Sequence, residues 1–299
     1  MGARAAVTRR EAILAAAASA GVLQAAGKPS RLSLEGYIWQ NYASREKKPL
    51  AELIEELFAT APYAGFQNIE LNDGFFSPAL RERVVKLTRQ HKLSMPSVYV
   101  GGSLIDRERA DRTIAKALEI GGVCQEFGCK AIVNNPDTKP QNGRKTDEEL
   151  AFQAESLNRM GRALTERGFE LRVHHHTAEL VENAREWRHI LQNTVPKYVT
   201  LCLDLEHAQH GGVDPNNMLR EAGARTTEVH LRNKIGETPG EAFGDGDIDH
   251  HKIAATLKQL KLQPLVVIEL AYHLDTPITR PFKDNVRLSR IYAEKVFNL

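Results

Sequence analysis

The chain of 299 residues carries 40 lysines and arginines against 38 aspartates and glutamates, which gives a formal charge of +2 at pH 7. This balance argues against a surface built for nucleic acid or another polyanion, so we expect no nucleic-acid partner. A length of 299 residues suits one αβ barrel of roughly 250 residues better than two small domains.

The first 27 residues look unlike the rest of the chain. Thr8, Arg9 and Arg10 precede an alanine-rich, mildly apolar stretch at 12–26. This pattern resembles a twin-arginine signal, which delivers folded proteins across the bacterial inner membrane. It predicts export, to the periplasm or beyond, and a mature protein that begins near residue 28. An amphipathic helical extension is the alternative, and no later segment is long and apolar enough to span a membrane.

Residues 28–299 alternate between strand-like and helix-like segments. The patterns predict strands at 32–39, 67–71, 93–100, 130–134, 170–174, 198–204, 226–231 and 265–270. They predict helices at 50–61, 78–90, 107–127, 147–167, 181–194, 215–222, 249–260 and 281–297. Eight such repeats without a glycine- and proline-rich linker predict an α/β fold with a single (β/α)8 TIM barrel.

The three cysteines do not form a metal motif. Cys124 and Cys129 flank a helix end, and Cys202 lies within an apolar strand. We expect Cys202 to be a buried small hydrophobe, and a Cys124–Cys129 disulfide is the less favoured alternative.

Four of the predicted strands end in a residue that can bind a metal ion. These residues are His174, Asp204, His230 and Glu269. All strands of a parallel barrel end at the same face, where active sites lie. We therefore expect these four side chains to bind one divalent metal ion. Manganese is the expected ion, with zinc, cobalt, iron and magnesium as alternatives.

Each ligand also has a purely structural interpretation. Asp204 could cap the following helix, and Glu269 could form an ion pair. His230 could be a packed barrel histidine, and His174 could belong to a surface histidine cluster.

Other polar residues lie near the same strand ends. His176 shares a face with His174 because side chains alternate along a strand. Arg232 shares a face with His230 for the same reason, and a guanidinium there suits a polyhydroxyl or anionic substrate. His207 lies one turn after Asp204. We expect His207, Arg232 and Glu70, at the end of the second strand, to contact substrate.

Motifs for several other enzyme classes are absent. The sequence has neither a Gly-x-Gly-x-x-Gly fingerprint after a strand nor a phosphate-binding loop. It also lacks the Gly-x-Ser-x-Gly nucleophile elbow. A nucleotide cofactor and a serine hydrolase are therefore disfavoured.

The order of several motifs resembles the xylose isomerase-like TIM-barrel superfamily of sugar phosphate isomerases and epimerases. The motifs are Val173-His174-His175-His176, Leu203-Asp204-Leu205-Glu206-His207, Val229-His230-Leu231-Arg232-Asn233, Gly244-Asp245-Gly246-Asp247-Ile248-Asp249 and Ile268-Glu269. The resemblance implies that a metal ion binds adjacent substrate oxygens and stabilises an enediolate. It also implies that Glu269 moves the proton next to a carbonyl.

One position departs from the pattern. Related epimerases have a glutamate where this chain has His174, and they use two glutamates to move a proton between faces. The histidines are similar to the Tyr-His-x-His strand of inosose dehydratase-like members. With Glu269 as base, His174 or His176 would then act as the acid.

The leading interpretation is a metal-dependent isomerase or epimerase acting on a sugar or keto-sugar. Alternatives are a keto-sugar dehydratase or other lyase, a phosphodiesterase of the endonuclease IV type, and a non-catalytic carbohydrate-binding barrel. Export favours an unphosphorylated substrate. A homo-oligomer is left open, because relatives are often dimers or tetramers.

Overall fold

Eight parallel strands line up in one sheet that curls into a barrel. The computed structural model describes residues 30–137, 139, 143–274 and 276–299. The strands are β1 (Leu32–Glu35), β2 (Asn68–Glu70), β3 (Ser97–Tyr99), β4 (Ala131–Asn134), β5 (Glu170–Val173), β6 (Val199–Asp204), β7 (Thr226–Leu231) and β8 (Leu265–Ile268). Their order is β2-β1-β8-β7-β6-β5-β4-β3, and every neighbouring pair is parallel.

The two ends of this sheet meet between β2 and β3. Isolated bridges join Asn68 to Ser94 and Asn72 to Tyr99. The Tyr99 amide donates to the carbonyl of Leu71 at 2.9 Å. The sheet is therefore a nearly closed barrel, and the predicted (β/α)8 fold is confirmed.

Helices follow the strands and cover the outside of the barrel. They are α1 (Tyr37–Arg45), α2 (Leu50–Ala64), α3 (Arg81–Gln90), α4 (Arg107–Cys124), α5 (Asp147–Thr165), α6 (Val181–Asn193), α7 (Leu205–His210), α8 (Pro215–Ala222), α9 (His250–Gln259) and α10 (Phe282–Phe297). Within the part of the chain that the structure describes, no helix combines the length and hydropathy needed to cross a membrane.

Side chains alternate along each strand between the inside of the barrel and the layer between the strands and the helices. On β7, Val229 and Leu231 belong to the apolar core, whereas Glu228 and His230 alternate with them. Both kinds of residue are buried, so polar side chains fill the inside of the barrel while apolar ones pack beneath the helices.

The first predicted strand is too long, and this error hides a helix. The strand ends at Glu35 instead of residue 39, and α1 begins at Tyr37. The Gly36 amide donates to the carbonyl of Glu70 at 2.7 Å, and the Tyr37 amide donates to the Glu35 carboxylate at 2.8 Å. These bonds turn the chain, although Tyr37-Ile38-Trp39 has the composition of a strand.

Smaller differences occur elsewhere. Helix α7 follows β6 directly and was not predicted. The expected loop at 233–247 contains a short antiparallel ribbon, Lys234–Ile235 with Thr238–Pro239. The three cysteines are buried and free, so the Cys124–Cys129 disulfide does not form. The predicted signal at 1–27 lies outside the described residues.

A close contact between α5 and the start of β6 offers a test of the fold. A Cβ on buried Gly161 would lie 2.1 Å from the carbonyl oxygen of Tyr198. We therefore expect Gly161→Ala to lower the free energy of unfolding by about 1–3 kcal/mol, because backbone must shift. Urea denaturation measures this change.

Gly122 is the matched control for this substitution. It is an exposed glycine within α4, and a Cβ there meets nothing within 4 Å. Gly122→Ala should stabilise the protein by about 0.5–1 kcal/mol, because alanine loses less backbone entropy in a helix. Equal stability of both variants would contradict the close packing of α5 on β6.

Candidate metal centre and active site

A cavity of about 710 Å³ opens at the carboxyl ends of the strands. Most of the site residues predicted from the sequence line it: His174, His176, His207, His230, Arg232 and Glu269. Asp204 lies at the end of β6 and is 1% exposed, and Glu70 is fully buried. The structure thus brings six of the eight predicted residues to one cavity wall and places two behind it.

The four expected metal ligands converge at this wall. One donor atom from each of His174, Asp204, His230 and Glu269 lies within 4.8 Å of the other three. The residues come from the ends of β5, β6, β7 and β8, which are consecutive around the barrel. Two imidazoles and two carboxylates form a donor set suited to manganese, iron, cobalt or zinc.

Unsatisfied polar atoms support this interpretation. Neither ring nitrogen of His174 has a hydrogen-bond partner among the described residues, and the same holds for Asp204 Oδ2. His174 Nε2 and Asp204 Oδ2 are 3.8 Å apart, too far for a hydrogen bond. Two ligands of one ion, each about 2.0–2.2 Å from it, can have this separation. The residues therefore fit a divalent cation, which would satisfy atoms that are otherwise costly to bury.

Asp204 combines a structural role with this free oxygen. Its Oδ1 accepts from the amides of Glu206 at 3.0 Å and His207 at 2.8 Å, so it caps α7. Burial raises the pKa of Asp204 to about 7, although the Arg232 guanidinium opposes the shift. The cap and the ligand interpretations are compatible because they use different oxygens.

Glu269 is held between the Arg232 guanidinium and the His230 imidazole. Its Oε1 accepts from Arg232 Nη1 at 2.9 Å, and its Oε2 lies 3.0 Å from His230 Nδ1. Burial raises the pKa of Glu269, but the Arg232 guanidinium and the His230 hydrogen bond hold it well below its usual range. Glu269 is therefore ionised, as both a metal ligand and a base require.

His207 is fixed in a neutral state. Its Nε2 lies 2.7 Å from Arg232 Nη2, so it accepts a hydrogen bond there, and its Nδ1 can donate to the Thr177 hydroxyl at 2.9 Å. Burial and the Arg232 charge lower the pKa of His207 to about 2. Both ring nitrogens are therefore engaged, so His207 holds Arg232 in place and cannot serve as a strong acid.

The two outer histidines of the triplet have different surroundings. The ring of His176 lies 4.9 Å from that of His174 and 4.8 Å from that of His207, and it lines the cavity. His175 points away and packs edge-on against Trp187. The alternation predicted for the triplet is therefore present.

Glu70 does not take the position expected of a substrate contact. Its side chain lies beneath the cavity, where its Oε1 is 2.9 Å from His230 Nε2 and its Oε2 accepts from the Ser97 hydroxyl. Burial and the nearby Glu228 raise the pKa of Glu70 to about 7. Glu70 faces Nε2 and Glu269 faces Nδ1, so a metal ion bound at Nδ1 would replace the contact between His230 and Glu269. Carboxylates in this outer position orient metal-binding histidines.

A buried polar layer continues below Glu70. Ser97 Oγ lies 3.0 Å from Glu228 Oε1, and Arg172 Nη1 donates to Glu228 Oε2 at 2.6 Å. A second group of potential ligands lies here, since donor atoms of Glu228, Glu70 and His230 lie within 4.8 Å of one another. However, Arg172 already neutralises Glu228, so the four-residue set at the cavity is the better metal site.

The sequence analysis missed several residues of the site. Glu206 binds Arg232 at 2.8 Å, Tyr99 packs edge-on against His174, and Glu35 lines the cavity. Glu35 carries the signal that identified Glu269, an acid after an apolar strand. The overlong first strand concealed it, because Glu35 then fell in the middle of a predicted element.

Curated proteins similar to this chain are inosose dehydratases. That of Geobacillus kaustophilus is 29% identical over 249 residues, which cover 73% of this chain and 79% of the relative. The inosose dehydratase of Clostridium perfringens strain 13 is 27% identical over 270 residues, which cover 81% of this chain and 89% of the relative.

Solved structures with this fold include sugar epimerases. An L-ribulose 3-epimerase superposes with a TM-score of 0.67 at 16% identity and covers 89% of this chain and 94% of its own. A 3-keto-D-glucoside 4-epimerase from E. coli has a TM-score of 0.64 at 18% identity and covers 87% and 99%. Likeness at these identities establishes the fold. A family model, the xylose isomerase-like TIM barrel, matches residues 56–291, well over half of the sequence, and the chain therefore belongs to this family.

Proposed function

We propose that this protein is a divalent-metal-dependent enzyme that removes the proton next to the carbonyl of a sugar or keto-sugar and so isomerises or epimerises it. The observation that carries the proposal is the convergence of two buried histidines and two buried carboxylates at the wall of a cavity. The names of the two structural neighbours described above, both sugar epimerases, support chemistry of this class.

The residues divide the work between them. His174, Asp204, His230 and Glu269 would hold the metal, which when bound supplies Lewis acidity to the substrate carbonyl. Glu269 is the base, because it is ionised and lines the cavity. Arg232 lies beside it and orients substrate oxygens by hydrogen bonds, and His207 holds the Arg232 guanidinium in place.

The charges around the cavity favour an unphosphorylated substrate. Two cationic side chains line it, Arg232 and Lys234, and Arg232 is already paired with carboxylates. The acidic lining residues are Glu35, Asp73, Glu206, Glu237 and Glu269. Lys234 also lies beside the carboxylates of Glu206 and Glu237, so a phosphate group would find no unpaired cationic side chain among the described lining residues, whereas neutral hydroxyls find many acceptors. The same charge gives no support to the phosphodiesterase alternative.

Elimination of water or an alcohol is a second candidate, which two observations favour. His174 stands where the resemblance to epimerases implies a glutamate, so the metal set offers one base rather than two. The curated relatives are dehydratases. Elimination begins with the same proton removal by Glu269, so both outcomes share their first step.

Proton removal can be measured directly. We expect the metal-loaded protein in deuterium oxide to exchange the proton next to the carbonyl of at least one of four probes: inosose, a 3-keto-D-glucoside, D-allulose or L-ribulose. Glu269→Gln should lower the exchange rate by about 10²–10⁴-fold, because the base is lost. Exchange is followed by NMR at saturating metal, with exposed Glu55→Gln as the control.

The reaction product distinguishes epimerisation or isomerisation from elimination. An epimer or isomer supports the first, and an unsaturated product supports elimination. Full exchange by Glu269→Gln would overturn the role of this residue. Tight binding of a probe without exchange would instead favour a carbohydrate-binding barrel.

Metal binding is tested separately. We expect the wild-type protein to bind a single divalent ion and Asp204→Asn to lose it, because asparagine keeps the helix cap but not the free carboxylate oxygen. Glu70→Gln should weaken binding by roughly 10–100-fold, since it removes the charge behind His230. Competitive titration with a chromophoric chelator measures all three proteins, and unchanged affinity in Asp204→Asn would exclude this site.

Export is a further part of the proposal, supported by the arginine pair before the apolar stretch at 12–26. We expect replacement of Arg9 and Arg10 by lysine to keep the full-length chain in the cytoplasm of a bacterial host, as cell fractionation would show. Arg4→Lys is the control. Periplasmic protein in a host that lacks the twin-arginine translocase would contradict the proposal.

A further inference from the structure

We propose that Glu35 is the second proton-transferring carboxyl of this active site, facing the substrate beside Glu269. The inference rests on the proposed function, because it assigns the proton that Glu269 alone cannot deliver.

The barrel register places Glu35 next to the metal cluster. Leu34 on β1 pairs with Ile268 on β8, so Glu35 is level with Glu269. On the other side Glu35 pairs with Glu70 on β2. Paired residues of parallel strands point to the same face, so Glu35 and Glu269 both point into the barrel mouth. Both line the cavity.

The side chain of Glu35 is held in place and still has a free oxygen. The Tyr37 amide donates to Oε2 at 2.8 Å, which fixes the carboxyl at the turn into α1. Among the described residues no side chain donates a hydrogen bond to Oε1. Glu35 itself is only 4% exposed, and the cavity that it lines is where a substrate would meet that oxygen. By contrast, both oxygens of Glu269 are engaged.

The other candidate donors are less suitable. His174 is one of the expected metal ligands, and His207 is fixed as a hydrogen-bond acceptor toward Arg232. His176 lines the cavity and is the remaining competitor. The His176→Gln variant described below tests it directly.

The electrostatics of Glu35 agree with a proton-donating role. Burial raises the pKa of Glu35 well above its usual range, and the neighbouring Glu269 and Glu70 carboxylates add to the shift. A neutral carboxyl beside an ionised one is the arrangement that separates an acid from a base.

The proton balance can be written for both outcomes. In elimination, Glu269 takes the proton from the carbon next to the carbonyl, and the electron pair of the broken C–H bond forms the new C=C bond. The C–O bond on the adjacent carbon breaks, and the leaving oxygen takes the proton of Glu35, so the products are an unsaturated ketone and water or an alcohol. In epimerisation, Glu269 takes the same proton and the electron pair of that C–H bond moves toward the carbonyl oxygen, which gives an enolate. The pair then returns to the carbon and forms a C–H bond on the opposite face with the proton of Glu35. In both cases Glu269 ends protonated and Glu35 ionised, and solvent restores them.

The test separates proton removal from proton delivery. Glu35→Gln keeps an acceptor for the Tyr37 amide, so the turn is preserved, but it cannot transfer a proton. We expect it to retain metal content, probe affinity and deuterium exchange within about threefold of wild type. Product formation from the same probe should fall by about 10²–10⁴-fold. Glu46→Gln, exposed at the end of α1, is the control.

Leaving-group dependence adds a readout that a structural role would not change. With a 3-keto-D-glucoside that carries a p-nitrophenyl group, departure needs no proton, so the loss in Glu35→Gln should shrink to under about tenfold. If the wild-type protein gives an epimer instead, we expect Glu35→Gln to exchange the proton with solvent deuterium but to form no epimer.

Three outcomes would overturn the proposal. They are wild-type product formation in Glu35→Gln, an equal loss of exchange and product, and a product loss confined to His176→Gln. Absence of exchange in wild type with every probe would instead contradict the proposed function itself, which keeps the two failures distinguishable.

Discussion

The buried guanidinium of Arg232 is the interaction on which the rest of the site depends. It donates to Glu206, Glu269 and His207 and lies 4.0 Å from Asp204 Oδ2. Several carboxylates could not stay ionised in this interior without a compensating charge. Arg232 thus keeps Glu269 ionised, the state that a base needs, and keeps His207 neutral.

A second buried layer supports the first from below. Arg172 neutralises Glu228, and Ser97 links Glu228 to Glu70, which in turn faces His230. The two layers have the same organisation, in which a buried arginine offsets carboxylates that hold a histidine. This arrangement accounts for the polar inside of the barrel, whereas Val229 and Leu231 of β7 belong to the apolar core.

The histidine at position 174 bears on which residues of the site transfer protons. It would contribute a metal-binding nitrogen in a place where the family resemblance implies a carboxylate base. Glu35, on the strand next to Glu269, supplies a carboxyl to the same cavity from another direction. The cluster has a histidine at position 174 instead of a glutamate, and Glu35 offers a carboxyl outside the cluster. This is the basis for assigning the second proton transfer to Glu35.

The sequence by itself determined the barrel and all four residues of the candidate metal cluster. Eight strand–helix repeats predicted the fold, and a ligand-type residue after each of four strands predicted the cluster, because parallel strands must end at one face. Only the tertiary structure decided which polar residues contact one another. Glu70 lies behind His230 and Glu35 beside Glu269, since pairing between strands distant in the chain depends on register and on where each strand ends. Local patterns do not encode that register, and a strand predicted four residues too long was enough to hide Glu35.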